Sequence, residues 1–385
     1  MSLLDHYATQ LDELKRQGNF RQFTANFQND RFIEINHFKM LNLSSNDYLG
    51  LAVDQQLREK FFDTTDDFNH RMSSSSSRLL TGNFPEYESF ETTLSDYFHQ
   101  RAVLLFNSGY HMNIGILPAL CDSKTIILAD KLVHASMIDG IRLSSAKYYR
   151  YRHNDLKHLS EMIQKYEHEE SVDRIIVVTE SIFSMDGDET DLIELVRLKK
   201  QSSKVMLYVD EAHAIGVRGQ HGLGCVEQYN VIDEIDFIVG TFGKALASVG
   251  GYLICDSVIR EYLINSMRPL IFSTALAPIS VAWSHFIFKH MLNLVERRYQ
   301  LQQLSVYIKL GIEAKGYKCP STSHIVPIII GDSRETVEKS LEIQKSGFYV
   351  MPVRPPTVPQ GSSRLRICLN ANVQQAEIDQ LITLL

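Results

Sequence analysis

The chain has 385 residues and a formal net charge of −7, with 39 Lys and Arg against 46 Asp and Glu. A phosphate-tracking protein normally carries a basic excess, because each neutralised phosphate releases counterions, so this balance argues against nucleic-acid binding. No stretch has the basic flank, apolar core and small-residue cleavage site of a secretory leader, and no apolar run approaches the ~18 residues of a membrane span; the expectation is a cytoplasmic protein of two or three domains.

In chain order, an N-terminal segment (1–45) precedes a run of short β-branched and aliphatic stretches: "AVLLF" (102–106), "TIILA" (125–129), "RIIVVT" (174–179), "VMLYV" (205–209), "DFIVG" (236–240) and "GYLIC" (251–255). Most are separated by stretches of helical character, which predicts a mostly parallel sheet buried on both faces in a large domain over 46–285. From Ala277 a long helical run follows, then "IVPIII" (325–330), a helix near 334–346 and "RLRICL" (364–369), which predict a smaller C-terminal α/β domain over 286–385, hinged on that helix. The five cysteines, Cys121, Cys225, Cys255, Cys319 and Cys368, are scattered and never closely paired. They read as small core residues rather than as a disulfide framework or a zinc site.

Ligands of open α/β sheets sit beyond the carboxyl ends of the strands. After "AVLLF" comes Asn107-Ser108-Gly109-Tyr110, a turn opening a helix whose free N–H groups suit a phosphate. The next strand ends deliver Asp130 and His134, then Ser184, then Asp210 and His213, then Thr241 and Lys244. Residues 210–213 spell "DEAH", the letters of a helicase signature. That reading needs a G-x-x-x-x-G-K-[ST] loop, yet the only Gly-Lys, Gly243-Lys244, is followed by Ala245 and has Ile238 where the first glycine belongs. Pyridoxal phosphate accounts for the same rim better. It needs a lysine for its aldehyde, an acid beside its ring nitrogen and a donor-lined phosphate pocket. Taken singly, Asp210 could be a turn residue, His134 a helix cap and Lys244 a surface amine; their shared position at strand ends is what argues for chemistry.

The motifs "SRLLTGN" (77–83), "DKLVHASMIDG" (130–140), "ESIFSMDGD" (180–188), "DEAHAIGVRGQHGLG" (210–224), "TFGKALASVGG" (241–251), "IFSTALAP" (271–278) and "RPPTVPQGSSRLRI" (354–367) resemble those of the α-oxoamine synthases. These are pyridoxal-phosphate enzymes of the aspartate-aminotransferase fold (fold type I), and the likeness runs from "LNLSSNDYLG" (41–50) to the C-terminus. The last motif favours the branch that condenses L-alanine with a pimeloyl thioester in biotin synthesis over the glycine-using relatives that make aminolevulinate or 2-amino-3-oxobutyrate. The resemblance implies that Lys244 forms the Schiff base and moves the Cα proton, Asp210 holds the pyridinium, His213 the phenolic oxygen, and His134 stacks on the ring. It places Ser108, Gly109, Tyr110 and Thr241 on the phosphate side, Ser184 near the ring, and Thr274 toward the phosphate of a neighbouring subunit in a homodimer. Arg366 is implied as the carboxylate clamp, a guanidinium being able to bind bidentately. Arg21, Asn46, Arg354 and Thr357 are implied to face substrate, with Ser77 beside the amino-acid side chain. Arg364 shares a strand face with Arg366 and reads as a structural ion pair.

Two further points bear on this reading. Relatives usually have a glycine-rich turn where this chain has Ser73 to Ser77, and serine enters positive φ less cheaply than glycine. The retained Lys244 argues against a catalytically inert partner subunit, and the acyl group could arrive on coenzyme A or on a carrier protein.

Overall fold

A computed structural model of the chain describes residues 3–64 and 70–385. In chain order the strands are β1 (Phe27–Asn29), β2 (Phe32–Ile35), β3 (Phe38–Asn42), β4 (Ala102–Phe106), β5 (Thr125–Asp130), β6 (Lys147–Tyr151) and β7 (Arg174–Glu180). They continue as β8 (Val205–Asp210), β9 (Phe237–Thr241), β10 (Gly251–Cys255), β11 (Ile325–Gly331), β12 (Phe348–Tyr349), β13 (Pro352–Val353) and β14 (Ser363–Cys368). The first five helices are α1 (Asp5–Arg16), α2 (Gln55–Thr64), α3 (Pro85–Tyr97), α4 (Gly109–Leu120) and α5 (Ala135–Leu143).

The chain divides into two compact units, Asp54–Phe183 with Glu189–Arg298, and Met1–Val53 with Ser184–Asp188 and Tyr299–Leu385. The larger unit is built on a seven-stranded sheet in the order β4-β10-β9-β8-β7-β5-β6. Its pairings are parallel from β9 through β8, β7 and β5 to β6, while β10 runs antiparallel to both β9 and β4. The expected mostly parallel sheet is therefore present. Strands β5, "TIILAD", and β10, "GYLIC", are buried along their whole length and β7, β8 and β9 at all but one position each, the pattern of a sheet covered on both faces with no polar side to alternate with. Edge strand β6, "KYYRY", is exposed at four of five positions and so lacked the apolar signature that marked its neighbours.

The smaller unit contains two sheets, β1-β2-β3-β12 and β11-β14-β13. The N-terminal segment belongs to this unit, where β3 pairs in parallel with β12 through Leu41↔Phe348 and Asn42↔Tyr349. The single long helical run expected after Ala277 is two helices, Pro278–Met291 and Val295–Ala314. The break is stabilised by Arg298, which is buried and donates to the carbonyls of Met291 at 2.8 Å and Leu292 at 3.2 Å. These are carbonyls that a helix end leaves without intrahelical partners, and a cation there also complements the helix dipole.

Two glycines set how closely elements meet at the carboxyl end of the large sheet. A Cβ on Gly140 of α5 would lie 2.2 Å from the Asn113 carbonyl of α4, so those helices can touch only through a glycine. A Cβ on Gly251 of β10 would lie 3.1 Å from the Gly109 N, where α4 begins. All five cysteines are buried free thiols.

Candidate active site

Where β4, β5, β8 and β9 end, the larger unit encloses a cavity of about 160 Å³. The N-terminus of α4 forms one wall. Ser108 caps this helix, its Oγ accepting from the His111 N–H at 3.1 Å, and the next residues, Gly109 and Tyr110, line the cavity. The unbonded N–H groups of a first helical turn together with the helix dipole favour an anion there.

Asp210, the last residue of β8, is 6 % exposed. Its Oδ1 accepts from the Ala212 N–H at 2.8 Å and its Oδ2 from Asn113 Nδ2 at 3.2 Å. It forms no ion pair within 4.0 Å among the described residues. A buried carboxylate held only by neutral donors is costly unless a cation is supplied to it. Lys244, three residues past the end of β9, places its Nζ 2.8 Å from His213 Nε2. His134 caps α5, its Nδ1 accepting from the Ser136 N–H at 3.2 Å. Burial pushes the His134 imidazole below its usual range and the Lys244 ammonium adds to this, while the Asp210 and Asp139 carboxylates oppose it. The imidazole is therefore neutral at pH 7.

A second group lies in the smaller unit. Arg366, on β14, donates from Nε to the Ser184 carbonyl at 2.6 Å and from Nη1 to Asn46 Oδ1 at 3.2 Å. Arg21 donates to Thr357 Oγ1 at 3.2 Å, and Arg354 to the Gly18 carbonyl. Arg364, buried on the same strand as Arg366, forms an ion pair with the half-buried Asp186, the structural role its position suggested.

The family profile for class I and II aminotransferases matches residues 39–385. The chain belongs to this family. It is 51 % identical to the 8-amino-7-oxononanoate synthase of Haemophilus ducreyi over 99 % of this chain and 100 % of that one. Among solved structures it is similar to the serine palmitoyltransferase of S. paucimobilis, which was solved with pyridoxal phosphate and myriocin bound. The TM-score there is 0.90 at 26 % identity, over 100 % of this chain and 97 % of that one. It is also similar to an 8-amino-7-oxononanoate synthase of Francisella tularensis, with a TM-score of 0.77 at 27 % identity over 90 % and 96 % of the two chains. Within the aminotransferase family the chain is an α-oxoamine synthase, a pyridoxal-phosphate-dependent acyltransferase of fold type I.

The residues present fit that cofactor. The cavity offers an amine at Lys244, a carboxylate without a counter-ion among the described residues at Asp210, and a helix N-terminus at Gly109 whose close approach to β10 a Cβ at Gly251 would crowd. Of the residues singled out in the sequence, Gly109, Tyr110, His134, Asp210, His213, Thr241 and Lys244 line this one cavity. Ser108 does not; its hydroxyl is engaged by the His111 backbone and sits 2.9 Å from that residue's ring. Thr274 is exposed, and its carbonyl accepts from Asn107 Nδ2 at 2.6 Å. Ser77 opens the wide turn Arg78–Gly82, and its carbonyl accepts from the Leu80 and Gly82 N–H groups. The serine run is anchored rather than loose. Ser74 is buried and donates to the Leu276 carbonyl, and Ser75 takes φ +51° while its N–H donates to Ser73 Oγ at 3.0 Å.

Among the polar lining or bracing residues, Asn113, Ser136, Glu180 and Tyr208 escaped the sequence reading. Glu180 Oε1 accepts from the His134 N–H at 2.6 Å. Asn113 carried a signal, being a fully polar side chain inside the apolar helical stretch "HMNIGIL". Tyr208 had none, since a tyrosine within a strand is ordinary core.

Proposed function

We propose that the enzyme condenses L-alanine with a pimeloyl thioester, releasing CO2 and the thiol carrier and giving 8-amino-7-oxononanoate, in the cytoplasm and as a homodimer. The observation that carries this is the buried Asp210 carboxylate, without an ion pair among the described residues, sharing a cavity at the head of α4 with Lys244, in a chain 51 % identical to an 8-amino-7-oxononanoate synthase. When bound, pyridoxal phosphate supplies a ring that withdraws electrons from the substrate carbon. Asp210 would hold a proton on the ring nitrogen and find there the counter-charge it lacks among the described residues. Lys244 would supply the amine that holds the aldehyde and, once released, would take and return the Cα proton, and His213, hydrogen-bonded to Lys244, would serve the phenolic oxygen. Neutral His134 would lie against the ring without adding a second positive charge. Gly109 and Tyr110 offer their N–H groups to the phosphate, with Ser108, Thr241 and Thr274 on that side and Ser184 near the ring. Arg366 and Asn46 take the amino acid's carboxylate, Ser77 leaves room for a methyl, and Arg21, Arg354 and Thr357 meet the acyl donor.

The test is mass spectrometry of the product formed from alanine or glycine with pimeloyl-coenzyme A or a pimeloyl-carrier protein. Alanine with one of these donors is expected to give 8-amino-7-oxononanoate. Turnover of glycine alone would overturn the assignment. Borohydride treatment followed by peptide mapping is expected to label Lys244, and a label on any other lysine would refute its role.

A further inference from the structure

Tyr208, Asn113 and Ser136 form one directed hydrogen-bond chain. The Tyr208 hydroxyl is fully buried and burial raises its pKa far above the ordinary value, so it is a permanent donor; it lies 2.6 Å from Asn113 Oδ1. That contact orients the Asn113 amide, and the Asp210 carboxylate enforces the same orientation, because a flipped amide would present an oxygen to an oxygen. Asn113 Nδ2 then donates both to Asp210 Oδ2 at 3.2 Å and to Ser136 Oγ at 3.0 Å. The Ser136 N–H points at His134 Nδ1 at 3.2 Å and makes that nitrogen an acceptor, so Ser136 Oγ, 2.8 Å from it and accepting from Asn113 with one of its two lone pairs, turns its proton to the same nitrogen. A nitrogen facing two donors carries no proton. His134 thus bears its single proton on Nε2, the ring atom with no protein partner among the described residues, on a side chain that lines the cavity.

We propose that Tyr208, Asn113 and Ser136 are positioning residues that lock His134 as the neutral Nε2–H form, aimed as a single donor into the cavity, and that the same Asn113 amide ties this state to the placement of Asp210. The inference rests on the functional reading above only for what enters the cavity. The lock itself is a property of the protein without cofactor, and it can be measured there.

The experiment is histidine-selective ¹⁵N NMR on cofactor-free protein over pH 5–8, with the His134 signals assigned by their loss in His134→Gln. The expected wild-type spectrum shows His134 with bare Nδ1 and protonated Nε2. The groups acting on its titration are Asp210 from β8, Glu180 from β7, Lys244 from the loop after β9 and Asp139 from α5. Ser136→Ala and Asn113→Leu should each move the midpoint up, by on the order of one pH unit, since each removes a donor that favours the neutral ring or screens Asp210. Tyr208→Phe should move it in the same direction by less. Ser136→Thr keeps the hydroxyl and should restore the wild-type midpoint, which a purely packing role for Ser136 would not predict. A proton on Nδ1 in the wild type overturns the proposal, as does an unmoved midpoint in folded Ser136→Ala and Asn113→Leu. If those variants fail to fold, the wild-type tautomer alone decides. Labelling of Lys244 in the borohydride experiment is independent of either result, so failure of the lock and failure of the functional reading are distinguishable.

Discussion

Asp210 and Glu211 are adjacent, both buried, and differ in what compensates their charge. Asp210 faces the cavity, and in the function proposed above its carboxylate would act only when negative charge develops on the substrate carbon. Asp210→Asn is therefore expected to leave borohydride labelling of Lys244 intact. At equal cofactor occupancy it should slow deuterium exchange at the alanine Cα by roughly a hundred- to a thousandfold, the usual worth of one preorganised electrostatic group. Equal exchange rates in the two proteins would remove Asp210 from this role. Glu211 points the other way, into the fold. Its carboxylate accepts from Ser181 Oγ at 2.8 Å and from the N–H groups of Cys225 at 2.9 Å and Val226 at 2.8 Å, and burial pushes its pKa up to about 7. Between the unfolded value near 4.5 and about 7 the folded chain holds a proton that the unfolded chain has lost. Stability from this group is thus fully present below pH 4.5 and declines as pH rises toward 7, by on the order of 3 kcal/mol. Denaturant unfolding at pH 5 and pH 7.5 is expected to show that fall in the wild type and a flatter profile in Glu211→Gln. Parallel profiles would show that Glu211 does not titrate in this range.

At the scale of elements, the site depends on how α5 meets α4. Gly140 lets α5 rest on the Asn113 carbonyl, and Asn113 is the residue whose amide reaches Asp210. A methyl at 2.2 Å from a backbone oxygen cannot be absorbed by a rotamer change, so Gly140→Ala must part the helices or shift Asn113. The expected cost is about 1–3 kcal/mol in denaturant unfolding, the range for overpacking. Cofactor affinity, read by fluorescence titration, should weaken as well because Asp210 loses a fixed donor. Full stability together with full affinity would contradict the close contact. The same helices show why parts of the site were legible from sequence and others were not. Strand ends announce themselves, because a buried apolar run stops and a polar residue follows, and His134, Asp210, Thr241 and Lys244 were all found that way. Asn113 and Ser136 sit on helices, three residues past Tyr110 and two past His134. Their partners are fixed by the packing of α4 on α5 and on β8, which no spacing rule reveals.

At the scale of the whole molecule, the larger unit exposes Leu79 and Leu80 on the turn Arg78–Gly82 and Phe272 just after the helix Arg268–Ile271, which packs beside that turn. Exposed apolar clusters of this kind mark interfaces. With the homodimer proposed above, sedimentation at micromolar concentration is expected to give twice 44.0 kDa, and Leu80→Glu should shift the protein toward monomer. A monomeric wild type would refute that assembly. No helix among the described residues is long and apolar enough to cross a membrane.

The sequence by itself determined the alternation of buried strands and helices, the family, and the residues placed where strands end, because each of these is written in local composition and spacing. Only the tertiary structure decided that residues 1–53 join the C-terminal part through β3 and β12, and that Arg298 divides the helical run near 292–294. It alone decided that the serine run is held by Leu276, and that Tyr208 and Asn113 stand behind Asp210 and His134. Each of these rests on partners far apart in the chain, whose approach is set by packing and by the pairing of buried polar groups.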